Sequence, residues 1–76
     1  MSQRLPPVKP KDMIRALQRA GFIVHHTSGS HYILKHPDKP GRRVTVAYHN
    51  KELKRRTQES IIEQAGLTAE EFSKFL

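Results

Sequence analysis

Apolar residues recur along this chain with two different periods, and the change of period marks out its elements. From Pro10, the positions Met13, Ile14, Leu17 and Ala20 return at helical spacing while Lys11, Arg15, Gln18 and Arg19 fall on the opposite side. This predicts an amphipathic helix with a basic outer face, opened by a proline whose missing N–H costs nothing there and stopped at Gly21. Phe22, Ile23 and Val24 then start a β-type run to about Thr27, and Ser28-Gly29 reads as a turn into a second strand from Ser30 to about His36. Pro37-Asp38-Lys39-Pro40-Gly41 is a dense turn signal, and beyond it Val44, Val46 and Tyr48 alternate with Arg43, Thr45 and Ala47 in a third strand from Arg42. After the basic run Lys51 to Arg56, Thr57 is placed to cap a helix whose stripe is Ile61, Ile62 and Ala65, ending at Gly66. Thr68-Ala69-Glu70-Glu71 has the form of a capping box, with Leu67 and Phe72 as its staple, and predicts a short last helix.

The expected order is helix, three antiparallel strands, helix, short helix, an α+β class. A sheet so small must cover one face with its helices to be stable and leaves the other face wet. Residues 1–9, rich in proline and polar groups, are expected as a flexible arm, and residues 10–76 as a single domain. If Val44, Val46 and Tyr48 face the helices, the hairpin register puts Tyr32 and Leu34 beside them and turns His31, Ile33 and Lys35 outward. Arg43 and Thr45 share that outer face, with Ala47 opposite or nearly opposite His31 and His49 just past the strand end. The first strand adds either His25 and Thr27 or, with a shorter loop, His26.

Composition narrows the partners. The 76 residues hold 14 Lys and Arg against 7 Asp and Glu, a formal charge of +7 that attracts polyanions, nucleic acid foremost. There is no cysteine, which excludes a disulfide framework and thiolate zinc sites. No apolar run approaches the ~18 residues needed to span a bilayer or resembles a signal core, so a cytoplasmic protein is expected. Five histidines raise the question of a metal, but no HExxH or helix-spaced set is present and no cofactor is expected. His25, His26 and His36 are read as surface residues or nucleic-acid contacts. Tyr32 and Tyr48 are read as packing residues, because no stacking platform for bases is evident.

The remaining chemistry centres on Ser28-Gly29-Ser30-His31. Gly29 removes bulk from the approach to His31, Ser30 and Thr45 offer hydroxyls, and Lys35, Arg42, Arg43 and Lys51 are candidate RNA phosphate contacts. An imidazole titrates near neutrality and can take the proton of a ribose 2′-hydroxyl without a metal. His31 is the candidate base. His49 is the candidate acid or phosphate contact, with a lysine or arginine as substitute, or it simply closes the strand.

Gly21-Phe22, Gly29-Ser30-His31, Val46-Ala47-Tyr48-His49-Asn50-Lys51-Glu52-Leu53 and Gln64-Ala65-Gly66-Leu67-Thr68 through Phe72 follow one another at the spacing of a known family. In these segments the chain resembles the HicA (YcfA-like) toxins. The resemblance implies a double-stranded-RNA-binding-domain-like fold and a metal-independent mRNA interferase, an endoribonuclease acting on single-stranded mRNA, with the essential histidine at His31. It also implies a HicB-type antitoxin covering the active face, the toxin being a monomer when free or part of a small oligomer with its antitoxin. The chain departs from the family pattern at Ala47, where proline is usual, and at Arg56, where glycine is common. Two other readings stay open: a non-catalytic RNA-binding module, and a degenerate toxin acting as an interaction or regulatory protein.

Overall fold

The computed structural model describes residues 5–76, which form α1 (Pro10–Arg19), β1 (Ile23–Ser28), β2 (His31–Lys35), β3 (Arg43–Ala47), α2 (Arg55–Ala65) and α3 (Ala69–Ser73). The strands make one antiparallel sheet in the order β1-β2-β3. The molecule measures 34 × 29 × 17 Å, and the short dimension has room for one sheet and one layer of helices. This is the α+β arrangement of a double-stranded-RNA-binding-domain-like fold. The core lies between the layers: Met13, Ala16 and Leu17 of α1 and Ile61, Ile62 and Ala65 of α2 meet Leu34, Val44 and Val46 of the sheet. Phe72 of α3 is fully buried with them.

The β2–β3 pairing is regular, with Tyr32 opposite Val46 and Leu34 opposite Val44 on the helix side, as the hairpin register predicts. His31, Ile33 and Lys35 are therefore on the outer side, across from Ala47, Thr45 and Arg43. Ile33 is only 7% exposed although it lies outside the helix-side cluster; His26 and Thr45, its cross-strand partners, flank it on the outer face. The β1–β2 turn lies one residue later than expected. Gly29 and Ser30 form a two-residue loop with Ser28 paired to His31, and only the first of them has positive φ (+58°), the signature of a type II′ hairpin. No atom lies within 4 Å of where a Gly29 Cβ would be, so glycine is needed here for its backbone and not for space.

Both alternatives for the first strand are partly right, because β1 carries a bulge. Val24 pairs with Leu34 and His26 with Ile33, which leaves His25 as an extra residue. Val24 thus stays on the helix side while His26 turns outward, and Thr27, expected outward, pairs with inward Tyr32.

The amino-terminal segment differs from the expected flexible arm over its described part. Val8 is buried, its N–H donates to Gln58 Oε1 (2.9 Å) and its carbonyl accepts from Leu53 N–H (2.9 Å). Gln58 Nε2 donates to the Pro6 carbonyl (3.3 Å), and Gln58, 3% exposed, is the one buried polar side chain among the described residues. Residues 1–4 of the expected arm lie outside the described residues. The same anchorage corrects the start of α2. The helix begins at Arg55, after an N-cap Lys54 that makes no side-chain cap, so Thr57 lies inside the first turn and caps nothing. Leu53 pinned to Val8 and Gln58 turned inward set where the helix must start, and this tertiary requirement overrides the better capping residue. The capping box of α3 forms as expected, with Thr68 N–H to Glu71 Oε1 (2.9 Å) and Glu71 N–H to Thr68 Oγ1 (3.0 Å). Those hydrogen bonds lower the Glu71 pKa from 4.5.

Three outcomes test this construction. Gln58→Leu leaves the buried Val8 N–H unpaired and should cost about 1–3 kcal/mol in chemical denaturation, with faster amide exchange at Val8. Gly29→Ala forces positive φ on an L-residue and should cost about 1–2 kcal/mol with the rest of the sheet intact. Because the Glu71 pKa is depressed in the fold, its contribution is present above pH 4.5 and fades as acid protonates it; Thr68→Ala should flatten the acid limb of the stability profile.

Candidate functional site

The outer face of the sheet is organised by which backbone groups its strands turn inward. Tyr48 N–H donates to the Ser30 carbonyl (2.7 Å), so Ser30 and Tyr48 are a hydrogen-bonded pair and His31 with Ala47, the next pair along, is not. Non-hydrogen-bonded pairs bring Cα atoms to about 4.5 Å, which sets the small Ala47 side chain directly beside His31. The His31 ring is exposed and, among the described residues, has no hydrogen-bond partner. Ser30 is exposed in the adjoining turn.

At the other end of the same face Lys35 and Arg43 are cross-strand partners. Two cations opposite one another repel, and no carboxylate among the described residues pairs with either; the one ion pair there is Arg55 with Glu59 (3.7 Å), on the surface of α2. The arrangement is suited to a polyanion. Four residues at ~3.3 Å each put Lys35 roughly 13 Å from His31 along β2. Thr45 lies between them, partly buried, and its backbone N–H donates to Gln64 Oε1 of α2 (3.2 Å).

Arg42 does not join this face. Its Nη1 lies 3.4 Å from the Gln64 carbonyl, and its guanidinium lies over Gly66, where a Cβ would come within 2.8 Å of Cζ. There it adds positive charge at the carbonyl end of α2. His36 is also committed. Asp38 N–H donates to its Nδ1 (3.1 Å), so its Nε2 carries the proton that reaches the Ala20 carbonyl (3.2 Å), and its ring meets Phe22 edge-on at 5.0 Å. This histidine joins the β2–β3 loop to the end of α1.

His25 and His26 are exposed, with their Nδ1 atoms 3.2 Å apart. Among the described residues no three His, Asp or Glu side chains gather as metal ligands. Tyr32 and Tyr48 stack at 5.1 Å; Tyr32 packs against the core, while Tyr48 is 38% exposed.

His49 follows β3 and is exposed. Lys51 N–H donates to its Nδ1 (3.2 Å), so in the neutral ring the proton is on Nε2, which is left to donate outward. Lys51 is exposed in the same loop. His49, Lys51 and Ala47 border one groove of about 480 Å³ between the end of β3 and the start of α2. Sequence reasoning missed this groove, because its far wall, Leu53, Lys54 and Thr57, is set by the Val8–Leu53 anchorage, which no local pattern records.

No helix among the described residues is long and apolar enough to cross a membrane. A search of curated proteins gives no match to the chain. The model of one family, the HicA toxin of bacterial toxin-antitoxin systems, matches residues 10–67, a span that runs from the first residue of α1 through His31 and the groove to the end of α2. With three quarters of its length under that match, the chain belongs to the HicA toxin family of toxin-antitoxin systems.

Proposed function

We propose that this toxin is a ribosome-independent mRNA interferase that cleaves single-stranded mRNA in the cytoplasm with His31 as general base. The observation that carries the reading is an exposed imidazole held by a regular strand, beside a residue as small as Ala47, on a face whose cations lack carboxylate partners. His31 removes the proton of a ribose 2′-hydroxyl, and the freed oxygen attacks the adjacent phosphorus. The bond from phosphorus to the 5′ oxygen breaks, leaving a 2′,3′-cyclic phosphate on one fragment, and the departing oxygen takes a proton from water in this open site. His49, with Nδ1 occupied by the Lys51 amide, serves better as an Nε2–H donor to a phosphate oxygen than as the acid. Lys51 adds positive charge beside it, Ser30 and Thr45 border the path of the strand, and Lys35 with Arg43 holds a more distant phosphate. The same exposed face offers a HicB-type antitoxin a surface to cover, with the free toxin a monomer.

The test is purified protein with single-stranded RNA in the presence of a chelator. Wild-type chain should produce 2′,3′-cyclic phosphate and 5′-hydroxyl ends, and His31→Ala should lose cleavage by about 10²-fold or more with folding and RNA binding retained. Undiminished cleavage by His31→Ala overturns the base assignment. Salt-sensitive binding with no new ends from the wild-type chain makes the protein a binding module instead.

A further inference from the structure

The groove beside His31 has a composition that phosphate binding alone does not require. Ala47 and Leu53 give it apolar lining, His49, Lys51 and Lys54 bring basic groups, and Thr57 and Glu52 add a hydroxyl and a carboxylate. At about 480 Å³ it lies within the roughly 300–1,000 Å³ of small-molecule sites. Apolar lining together with basic groups fits a nucleotide, whose base is flat and weakly hydrated and whose phosphates are charged.

The backbone adds a donor. In β3 the N–H of Tyr48 points to β2, so strand alternation turns the N–H groups of Thr45 and Ala47 the other way, toward the open edge. Thr45 N–H is taken by Gln64 Oε1 (3.2 Å). Ala47 N–H has no partner among the described residues and borders the groove. The groove therefore combines apolar area with groups that can read a base edge: the Ala47 N–H as donor, the Thr57 hydroxyl as donor or acceptor, the Glu52 carboxylate as acceptor.

We propose that this groove is a base-reading subsite, which receives the nucleobase of the nucleotide adjacent to the scissile phosphate and sets where along a single-stranded RNA the toxin cuts. The inference rests on the nuclease reading above and adds to it the residues that choose the site. Ala47 is shared by both regions, as the cross-strand neighbour of His31 and part of the groove lining, so a base seated there places its own sugar-phosphate link at the imidazole. Lys51 and Lys54 hold the flanking phosphates, which makes their contribution salt-dependent and independent of sequence.

The experiment uses the full chain and two readouts. In the first, His31→Ala protein is irradiated with single-stranded oligoribonucleotides containing 4-thiouridine at successive positions, and the crosslinked peptides are mapped. Crosslinks at one nucleotide position should fall between Ala47 and Thr57. In the second, cleavage sites of the active chain are mapped on a long mRNA. Thr57→Val, on the exposed surface of α2, removes the groove's hydroxyl and should change which sites are cut. Ala47→Leu fills the groove and should lower cleavage at least tenfold and abolish the crosslinks between Ala47 and Thr57, with the melting temperature nearly unchanged.

Crosslinks confined to the Lys35–Arg43 end, or an unchanged site spectrum in both variants, overturn the subsite while leaving the nuclease reading in place. A wild-type chain that neither binds nor cuts RNA overturns both. A groove that is protected by an acidic peptide but never crosslinks to RNA is a protein-docking site and overturns the proposal as well.

Discussion

Everything functional in this molecule depends on the register between β2 and β3. A slip of one residue would carry Leu34, Val44 and Val46 from a dry interface to water and put His31 under the helices in their place. Those three side chains are fully buried, and removing a buried aliphatic chain from such a site costs several kcal/mol in comparable cores. The position of an exposed histidine is thus enforced by apolar residues on the opposite face. This explains how so small a protein fixes the place of a side chain that has no hydrogen-bond partner of its own.

The outer face shows the opposite balance. Lys35 opposes Arg43, and the cations along the loop into α2 have few carboxylates near them. Such a surface is mildly unfavourable to the isolated fold and is relieved by an anion that spans it. Binding and folding are therefore not optimised together here. The helix layer and the Gln58 clasp provide stability, and the free sheet face and adjoining groove are left for a partner.

What could be read from sequence follows the range of the interaction responsible. The β2–β3 hairpin was legible because two independent local signals, the Pro37–Gly41 turn and the alternation of Val44 and Val46, agree. So was the capping box of α3, which is complete within four residues. The bulge at His25 was not, since an extra residue in an edge strand leaves no mark in a run as ambiguous as His25-His26-Thr27. The start of α2 and the docking of Val8 depend on hydrogen bonds between residues about fifty positions apart, and the contact of Arg42 with the end of α2 spans about twenty. His31 on the exposed face was legible, since strand alternation alone decides it; the groove beside it was not, since it exists only where two distant segments meet.

The Gln64 side chain, introduced as a partner for Thr45, has one more effect. By occupying the outward Thr45 N–H it ties the middle of the open β3 margin to α2, while the Ala47 N–H at the end of that strand and the outer backbone of β1 stay unpaired among the described residues. A strand added along β3 would have to displace the Gln64 amide at its centre, whereas β1 carries no such guard among the described residues.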